Sequence, residues 1–357
     1  MNRAAFMELL ATAGIGNDVK IVRRFPRRVV LLVVVGLLVA SAVAGIALAR
    51  GTARPIGSGV VVIDTNLAYQ GGAAAGTGMV LTASGEVLTN NHVISGATTI
   101  KVVVPSTGHS YTARVLGYDR AADVALLQLQ GTSSLKTVSI SSAKLSVGAA
   151  VTALGNAGGN GSIASATGKV TGLGKTITAS DDSGGSEQLT GLIETNAGLE
   201  PGDSGGPLVN SRGQVVGMDT AASSGFGFQD VSATDAYAVP IAKALRVAHS
   251  ISSGKTSATV HIGATAFLGI EVESVVTPAS SSGALIAGLV SGGPAASAGL
   301  AAGDVITAVN GHTVSSPTAV TSLIAAKKPG TKITIGYVDR TGAPHTARVV
   351  LGSGPPQ

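Results

Sequence analysis

The sequence predicts a mainly β protein: two successive sets of six strands, a smaller α+β module after them, and one membrane-spanning helix ahead of them. Three observations lead there. Short apolar runs recur at close spacing between polar turns through the middle of the chain. Aromatic residues make up only 3%, so burial must rest on Val, Ile, Leu and Ala, a palette that suits strands. An uncharged stretch follows a basic N-terminus.

Residues 1–28 carry Arg3, Lys20, Arg23, Arg24, Arg27 and Arg28 against Glu8 and Asp18. The uncharged stretch at 29–49 has 21 residues, about 31 Å as a helix and enough for a bilayer core. Basic residues stay on the cytoplasmic side, so the rest of the chain is expected outside it. Ala42-Val43-Ala44 and Ala47-Leu48-Ala49 also resemble small-residue cleavage sites, which leaves a cleaved signal and secretion as the alternative to a retained anchor. The chain is +5 overall, but the basic tail holds nearly all of that excess. The exported part is close to neutral and has no nucleic-acid footprint. With no cysteine in the chain, a disulfide framework and a cysteine-based metal site are excluded, and no metal or cofactor is expected.

After a tether at 50–59, runs at 60–63, 78–81, 86–89, 99–104, 111–116 and 125–129 read as strands, and their spacing suits a barrel or sandwich. A second set lies at 151–154, 164–170, 192–195, 207–209, 214–218 and 236–239. Residues 240–249 place Ile241, Ala244, Leu245 and Ala248 at helical spacing and should close the domain. The segments 171–190 and 221–235 are polar and glycine-rich and read as loops.

Chemistry concentrates in Gly202-Asp203-Ser204-Gly205-Gly206-Pro207, which resembles the loop presenting the nucleophile of a trypsin-like serine protease. Glycines beside a serine clear room for a substrate carbonyl and allow the turn that aims backbone N–H groups at a developing oxyanion, here those of Gly202 and Ser204. A serine nucleophile needs a base and an orienting acid. His92 follows Val87-Leu88-Thr89-Asn90-Asn91, a short apolar strand running into polar residues, which places it at a strand end beside a loop, where catalytic groups sit. His109, in a polar turn, and His249, His261, His312 and His345, all after Ser204, read as solvated surface residues. For the acid, Asp119 reads as an exposed turn residue, whereas Asp123 opens the strand Val124-Ala125-Leu126-Leu127 and is preferred. The order His92, Asp123, Ser204 matches the chymotrypsin fold.

Thr89-Asn90-Asn91-His92-Val93, Asp123-Val124-Ala125-Leu126-Leu127 and the Ser204 loop resemble the three catalytic blocks of the HtrA (DegP-like) branch of trypsin-like proteases. The resemblance implies a chymotrypsin-like double β-barrel protease domain at 60–250 with the active site in the cleft between barrels. It also implies regulatory loops at 171–190 and 221–235, and a specificity pocket lined by Ala197, Gly198, Leu199, Asp219, Thr220 and Ala221. Gly198 stands where trypsin-type enzymes place an Asp, so small or apolar residues at the cleavage position are expected. One departure concerns Asp203: many family members have Asn there, and in digestive proteases the equivalent Asp pairs with a freshly cut N-terminal amine. A chain that runs back to a membrane segment does not suit that switch.

Residues 251–264 are Ser-, Thr- and Gly-rich and read as a linker. Residues 265–352 resemble a PDZ domain of the same family, with 353–357 a tail. Phe267-Leu268-Gly269-Ile270 resembles its carboxylate-binding loop, Gly303-Asp304-Val305-Ile306 its turn and hairpin, and Leu323 lies on the helix expected to form the other groove wall. Asn310-Gly311 is an independent type I′ turn signal. A C-terminal peptide would add as a strand beside 269–273.

The resemblance thus implies a membrane-tethered extracytoplasmic serine endopeptidase that cleaves unfolded or misfolded proteins in envelope quality control and stress response. C-terminal peptides would bind the PDZ domain, and a homotrimer is the family's usual assembly. A polypeptide-binding chaperone or scaffold, with hydrolysis secondary, is the alternative.

Overall fold

The computed structural model describes residues 56–180, 186–222, 235–274 and 283–357. The expected basic tail, the apolar stretch 29–49 and most of 221–235 lie outside the described residues. Among the described residues, no helix is long and apolar enough to cross a membrane.

Six strands build the first barrel: β1 (Val60–Leu67), β2 (Gly72–Val80), β3 (Glu86–Thr89), β4 (Thr99–Val104), β5 (His109–Asp119) and β6 (Val124–Leu129), with a one-turn helix α1 (Asn91–Ile94) after β3. They pair in the order β5-β4-β1-β2-β3-β6, and β6 returns to β5 to close the ring. Strand periodicity explains why these runs are apolar at nearly every position. Val61, Ile63, Val87 and Leu127 meet on one face. Their neighbours Val60, Leu88 and Leu126 face the other way and pack with Leu154, Met218 and Val239 from the second set. Each such side chain, once buried, contributes roughly 1.5–3 kcal/mol.

The second barrel comprises β7 (Ala150–Gly155), β8 (Ala164–Ser180), β9 (Ser186–Thr195), β10 (Pro207–Asn210), β11 (Val215–Ala222) and β12 (Ala236–Pro240), closed in the order β10-β11-β12-β9-β8-β7. Here the structure corrects the sequence reading of 171–190 as a loop. β8 and β9 continue as a hairpin from Val170↔Thr195 out to Ser180↔Ser186, through three register shifts. The ladder is a backbone structure, and this Gly-, Thr- and Ser-rich stretch has no apolar alternation to announce it.

Helix α2 (Ile241–Ser252) buries Ile241, Ala244, Ala248 and Ile251 and runs three residues past the expected end. The linker is also corrected: β13 (Val260–Ile262) adds to β5 outside the ring, Val260 opposite Asp119.

The C-terminal module holds β14 (Thr265–Phe267), β15 (Ile270–Ser274), β16 (Ala284–Leu289), α3 (Pro294–Ser297), β17 (Val305–Val309), β18 (His312–Thr313), α4 (Pro317–Ala325), β19 (Lys332–Val338), β20 (Pro344–Val350) and β21 (Gly352–Gly354). Its main sheet runs β15-β16-β17-β19-β20, which leaves one edge of β15 unpaired by any described strand, while β14 pairs with β21. Asn310 (φ 50°) and Gly311 (φ 80°) make the turn read from the sequence. Ser316 caps α4 by accepting from the Ala319 N–H at 3.2 Å.

Residues from Pro55 onward form one compact unit. The module meets the first barrel through a Tyr69–Phe267 ring stack with centroids 5.2 Å apart and a Tyr118–Thr265 hydroxyl contact at 3.3 Å. The tail touches α1, where the Gly96 N–H donates to the Pro356 carbonyl at 2.9 Å and Asn91 Nδ2 to the Gln357 carbonyl at 3.1 Å.

Candidate active site

His92 is carried on α1 directly after β3, and Asp123 sits at the turn before β6, which pairs with β3. That pairing brings the two together across 31 positions of sequence. Asp123 Oδ2 lies 2.9 Å from His92 Nδ1, and Asp123 Oδ1 accepts the His92 backbone N–H at 3.0 Å. Thr220, from β11 in the other barrel, donates its hydroxyl to Asp123 Oδ2. Asn90 Nδ2 donates to the Asp123 carbonyl at 2.8 Å. Asp123 has φ 51°, a left-handed conformation that an Asp tolerates better than most residues. The turn is closed by the Asp123 N–H donating to the Arg120 carbonyl at 2.9 Å. Burial alone would lower the His92 pKa, but the Asp123 charge and hydrogen bond outweigh it and leave the imidazole above its ordinary value.

Ser204 is buried in a tight turn between the barrels, 9% exposed. Gly205 has φ +85°, and a Cβ there would fall on the Thr77 carbonyl; at Gly202, φ +101°, it would fall on the Asn156 carbonyl. Both positions therefore demand glycine. Thr77 of β2 organises this approach. Its N–H donates to the Ser204 carbonyl at 2.8 Å, its hydroxyl to the Gly202 carbonyl at 2.7 Å, and its carbonyl accepts from the Thr89 hydroxyl at 2.7 Å. From the other side, Gly205 N–H donates to the Asp219 carbonyl and Asp219 N–H to the Gly206 carbonyl, both at 2.8 Å. The loop is thus held by strands from both barrels.

The Gly158 N–H donates to the Pro201 carbonyl at 2.8 Å, and in a trans peptide the Gly202 N–H points opposite to that carbonyl. The Asp203 carbonyl accepts from the Gly206 N–H at 2.8 Å, which turns the Ser204 N–H away from Gly206 in the same manner. Among the described residues, neither the Gly202 nor the Ser204 amide has a protein acceptor.

The residues expected to line a specificity pocket go to different places. Ala197 and Leu199, drawn together by the Leu199 N–H donating to the Ala197 carbonyl at 2.9 Å just after β9, turn into the apolar lining of the second barrel with Ile193, Leu208 and Ala238. Gly198 between them is exposed with open space beside it. The Thr220 hydroxyl is committed to Asp123. Asp219 is fully buried. Of Ala221, only its backbone place in β11 is described. Asp119 is corrected: it is buried, and its carboxylate accepts from the Ala122 N–H at 3.2 Å and the Thr259 hydroxyl at 2.8 Å. His261 is not plain surface either, since its ring stacks on Tyr118 at 4.9 Å.

Thr77, Asn90 and Asn156 were not singled out by the sequence reading. The available signal was Gly76-Thr77-Gly78, two glycines inside a strand, a mark of close backbone approach.

In the C-terminal module, Gly269 has φ +77° and its carbonyl accepts the Val290 N–H at 3.0 Å, while the Leu268 carbonyl accepts the Ala295 N–H at 3.0 Å. Both bonds fix the loop at the head of the unpaired edge of β15, against which α4 packs, with Leu323 half-buried. The Phe267 ring stacks on Tyr69 of the first barrel.

The chain matches the family described as trypsin-like peptidase domain over residues 76–218, and the PDZ domain family over residues 266–351. It is 33% identical over 308 residues to the serine protease PepD of Mycobacterium tuberculosis, an alignment covering 82% of this chain and 63% of that protein. To the periplasmic pH-dependent serine endoprotease DegQ of Escherichia coli it is 34% identical over 289 residues, covering 77% and 59%. The chain thus spans about three fifths of the length of these curated relatives. A solved structure titled HtrA-type protease AlgW with decapeptide aligns at 26% identity and a TM-score of 0.47, covering 87% of this chain and 99% of that one.

Proposed function

Because this chain belongs to the HtrA family of serine proteases, with a trypsin-like peptidase domain followed by a PDZ domain, we propose that it is an endopeptidase in which Ser204 attacks the scissile carbonyl. His92 takes the serine proton and returns it to the leaving amine, and Asp123 holds the imidazole in the tautomer that can do so. The amides of Gly202 and Ser204 receive the oxyanion. Water activated by His92 then releases the acyl group and regenerates the serine.

The observation that carries this reading is the bond of Asp123 to both Nδ1 and the backbone N–H of His92, with Thr220 completing the carboxylate's partners. Gly76 supplies the link to the nucleophile: a Cβ on it would lie 2.6 Å from Val93, the neighbour of His92, and 3.3 Å from the Ser204 carbonyl.

Unfolded or misfolded polypeptides are the proposed substrates. The apolar C-termini of such chains would add to the open edge of β15, their carboxylate met by the loop at Leu268, Gly269 and Ile270. The working place is outside the cytoplasm, with 29–49 as anchor. Degradation of casein by the full chain tests the chemistry. Ser204→Ala should abolish it while leaving the melting temperature in place, and a variant that still degrades casein refutes the nucleophile.

A further inference from the structure

Two acidic side chains behind the nucleophile loop take no part in the mechanism. Asp219 is 0% exposed, and among the described residues neither of its carboxyl oxygens has a hydrogen-bond partner. Asp203 is 5% exposed; its Oδ2 accepts the Glu200 N–H at 2.9 Å, and its Oδ1 is buried without a partner. A buried charge with no partner is strongly unfavourable, so such a group neutralises instead.

Asp219 stands opposite Ala238 in the β11–β12 ladder and so shares its face of the second barrel. Ala238 packs there with Ala153, Ile193 and Leu208, an apolar lining. Among the described residues, β7 and β10 carry no ionisable side chain, and Glu194 of β9 and Tyr237 of β12 stand one position along from Ile193 and Ala238, on the opposite face, where they meet each other. Among the described residues the charged group that acts on Asp219 is Asp203, from the nucleophile loop, and Glu200 acts on Asp203 in turn. Burial first, and then the like charge of Asp203, push Asp219 well above the ordinary carboxylate range. For Asp203 burial also raises the pKa, but the Glu200 N–H opposes it. Asp203 therefore ionises first.

The backbone of Asp219 is the clamp on Gly205 and Gly206, and the next residue, Thr220, supports Asp123. Displacing this one strand position disturbs nucleophile and acid together. We propose that Asp219 is a positioning residue that works as an uncharged carboxylic acid, leaving the pair's single negative charge to Asp203, and that charging Asp219 releases the clamp on the Ser204 loop. This rests on the peptidase reading above and adds to it an alkaline limit distinct from the titration of His92.

The test is kcat/KM for a peptide substrate against pH, for the full chain and for Asp219→Asn and Asp203→Asn. Beyond the midpoint the wild-type value should fall about tenfold per pH unit, as one ionisation requires. Asp219→Asn should lose that alkaline limb whatever its plateau. Asp203→Asn removes the like charge, so its limb should move to lower pH. An unchanged limb in Asp219→Asn, or no limb in a wild type that does hydrolyse the substrate, overturns the proposal. Carbon-13 NMR of carboxyl-labelled aspartate in Ser204→Ala gives a reading that does not depend on how the other variants fold. One aspartate should stay in its acid form at pH 7 and disappear from the spectrum in Asp219→Asn, whereas aspartates all ionised at that pH overturn the idea. Absence of hydrolysis at every pH strikes the peptidase reading alone, because the NMR signal reports on Asp219 directly.

Discussion

Asp123 and Asp219 are both buried, they meet the same strand, and they are treated in opposite ways. Asp123 receives the His92 N–H, the imidazole and the Thr220 hydroxyl on its carboxylate. Asp219, one residue before Thr220, receives nothing on its side chain. Burial does not decide the charge of a carboxyl; the donors around it do. Donors converging on its carboxylate fix Asp123, whereas backbone bonds, the Thr77 hydroxyl and glycine fix the Ser204 loop.

The sharpest way to break this contrast is Gly205→Ala. Its Cβ would meet the Thr77 carbonyl from a backbone that disfavours any side chain, so the loop cannot be kept, and hydrolysis should fall to the level of Ser204→Ala. A retained rate would show that the loop is not pinned where Thr77 places it. Next is Asp123→Asn, which keeps the shape but cannot hold the required tautomer. A loss of about 10⁴-fold in kcat is expected. Its acid limb should also move to lower pH, because His92 loses the charge and hydrogen bond that raise its pKa while burial still lowers it.

Thr220→Val removes one charge-assisted donor and should cost roughly 1.5–3 kcal/mol of the support for Asp123, read as a fall of about 10- to 150-fold in kcat/KM. An equal effect on an Asp123→Asn background would show that the two residues do not act together. The smallest effect concerns the module contact. Tyr69→Ala removes the stack on Phe267, worth about 0.5–1.5 kcal/mol, and should change the dependence of hydrolysis on an added C-terminal peptide more than the rate without it.

Stability should also depend on pH through two groups, both of which lose it as pH rises but in different windows. His92 has a raised folded pKa, so its contribution is fully present below the imidazole's unfolded value and is lost as pH rises through the folded one. Asp219 is raised too, and for a carboxyl this means the native state binds the proton more tightly than the unfolded chain. Stability should fall as pH climbs from the ordinary carboxylate range toward the raised value. Melting curves of Ser204→Ala and Ser204→Ala/Asp219→Asn separate the second effect from the first.

Much of this was legible in the chain. Apolar runs marked the strands because both faces of the barrel strands are buried, and Asn310-Gly311 marked its hairpin because few residue pairs accept that turn. His92, Asp123 and Ser204 stood out by residue type and order. What stayed hidden depends on partners remote in sequence. The β8–β9 hairpin is held by a ladder whose side chains carry no alternation, and β13 is three residues whose strand character comes from β5. Asp119 looked like a turn residue because its donors, Ala122 and Thr259, are invisible to local pattern. The φ of 51° at Asp123 and the Thr77 hub are backbone facts with only glycine spacing to hint at them.

Fluorophosphonate labelling across pH measures the central claim most directly, since it reads nucleophile activation without a substrate preference. The account predicts a single label on Ser204, absent in Ser204→Ala, with a rate that rises as His92 loses its proton and is severely reduced in Asp123→Asn. Labelling that persists in Ser204→Ala, or that is indifferent to Asp123→Asn, would contradict it.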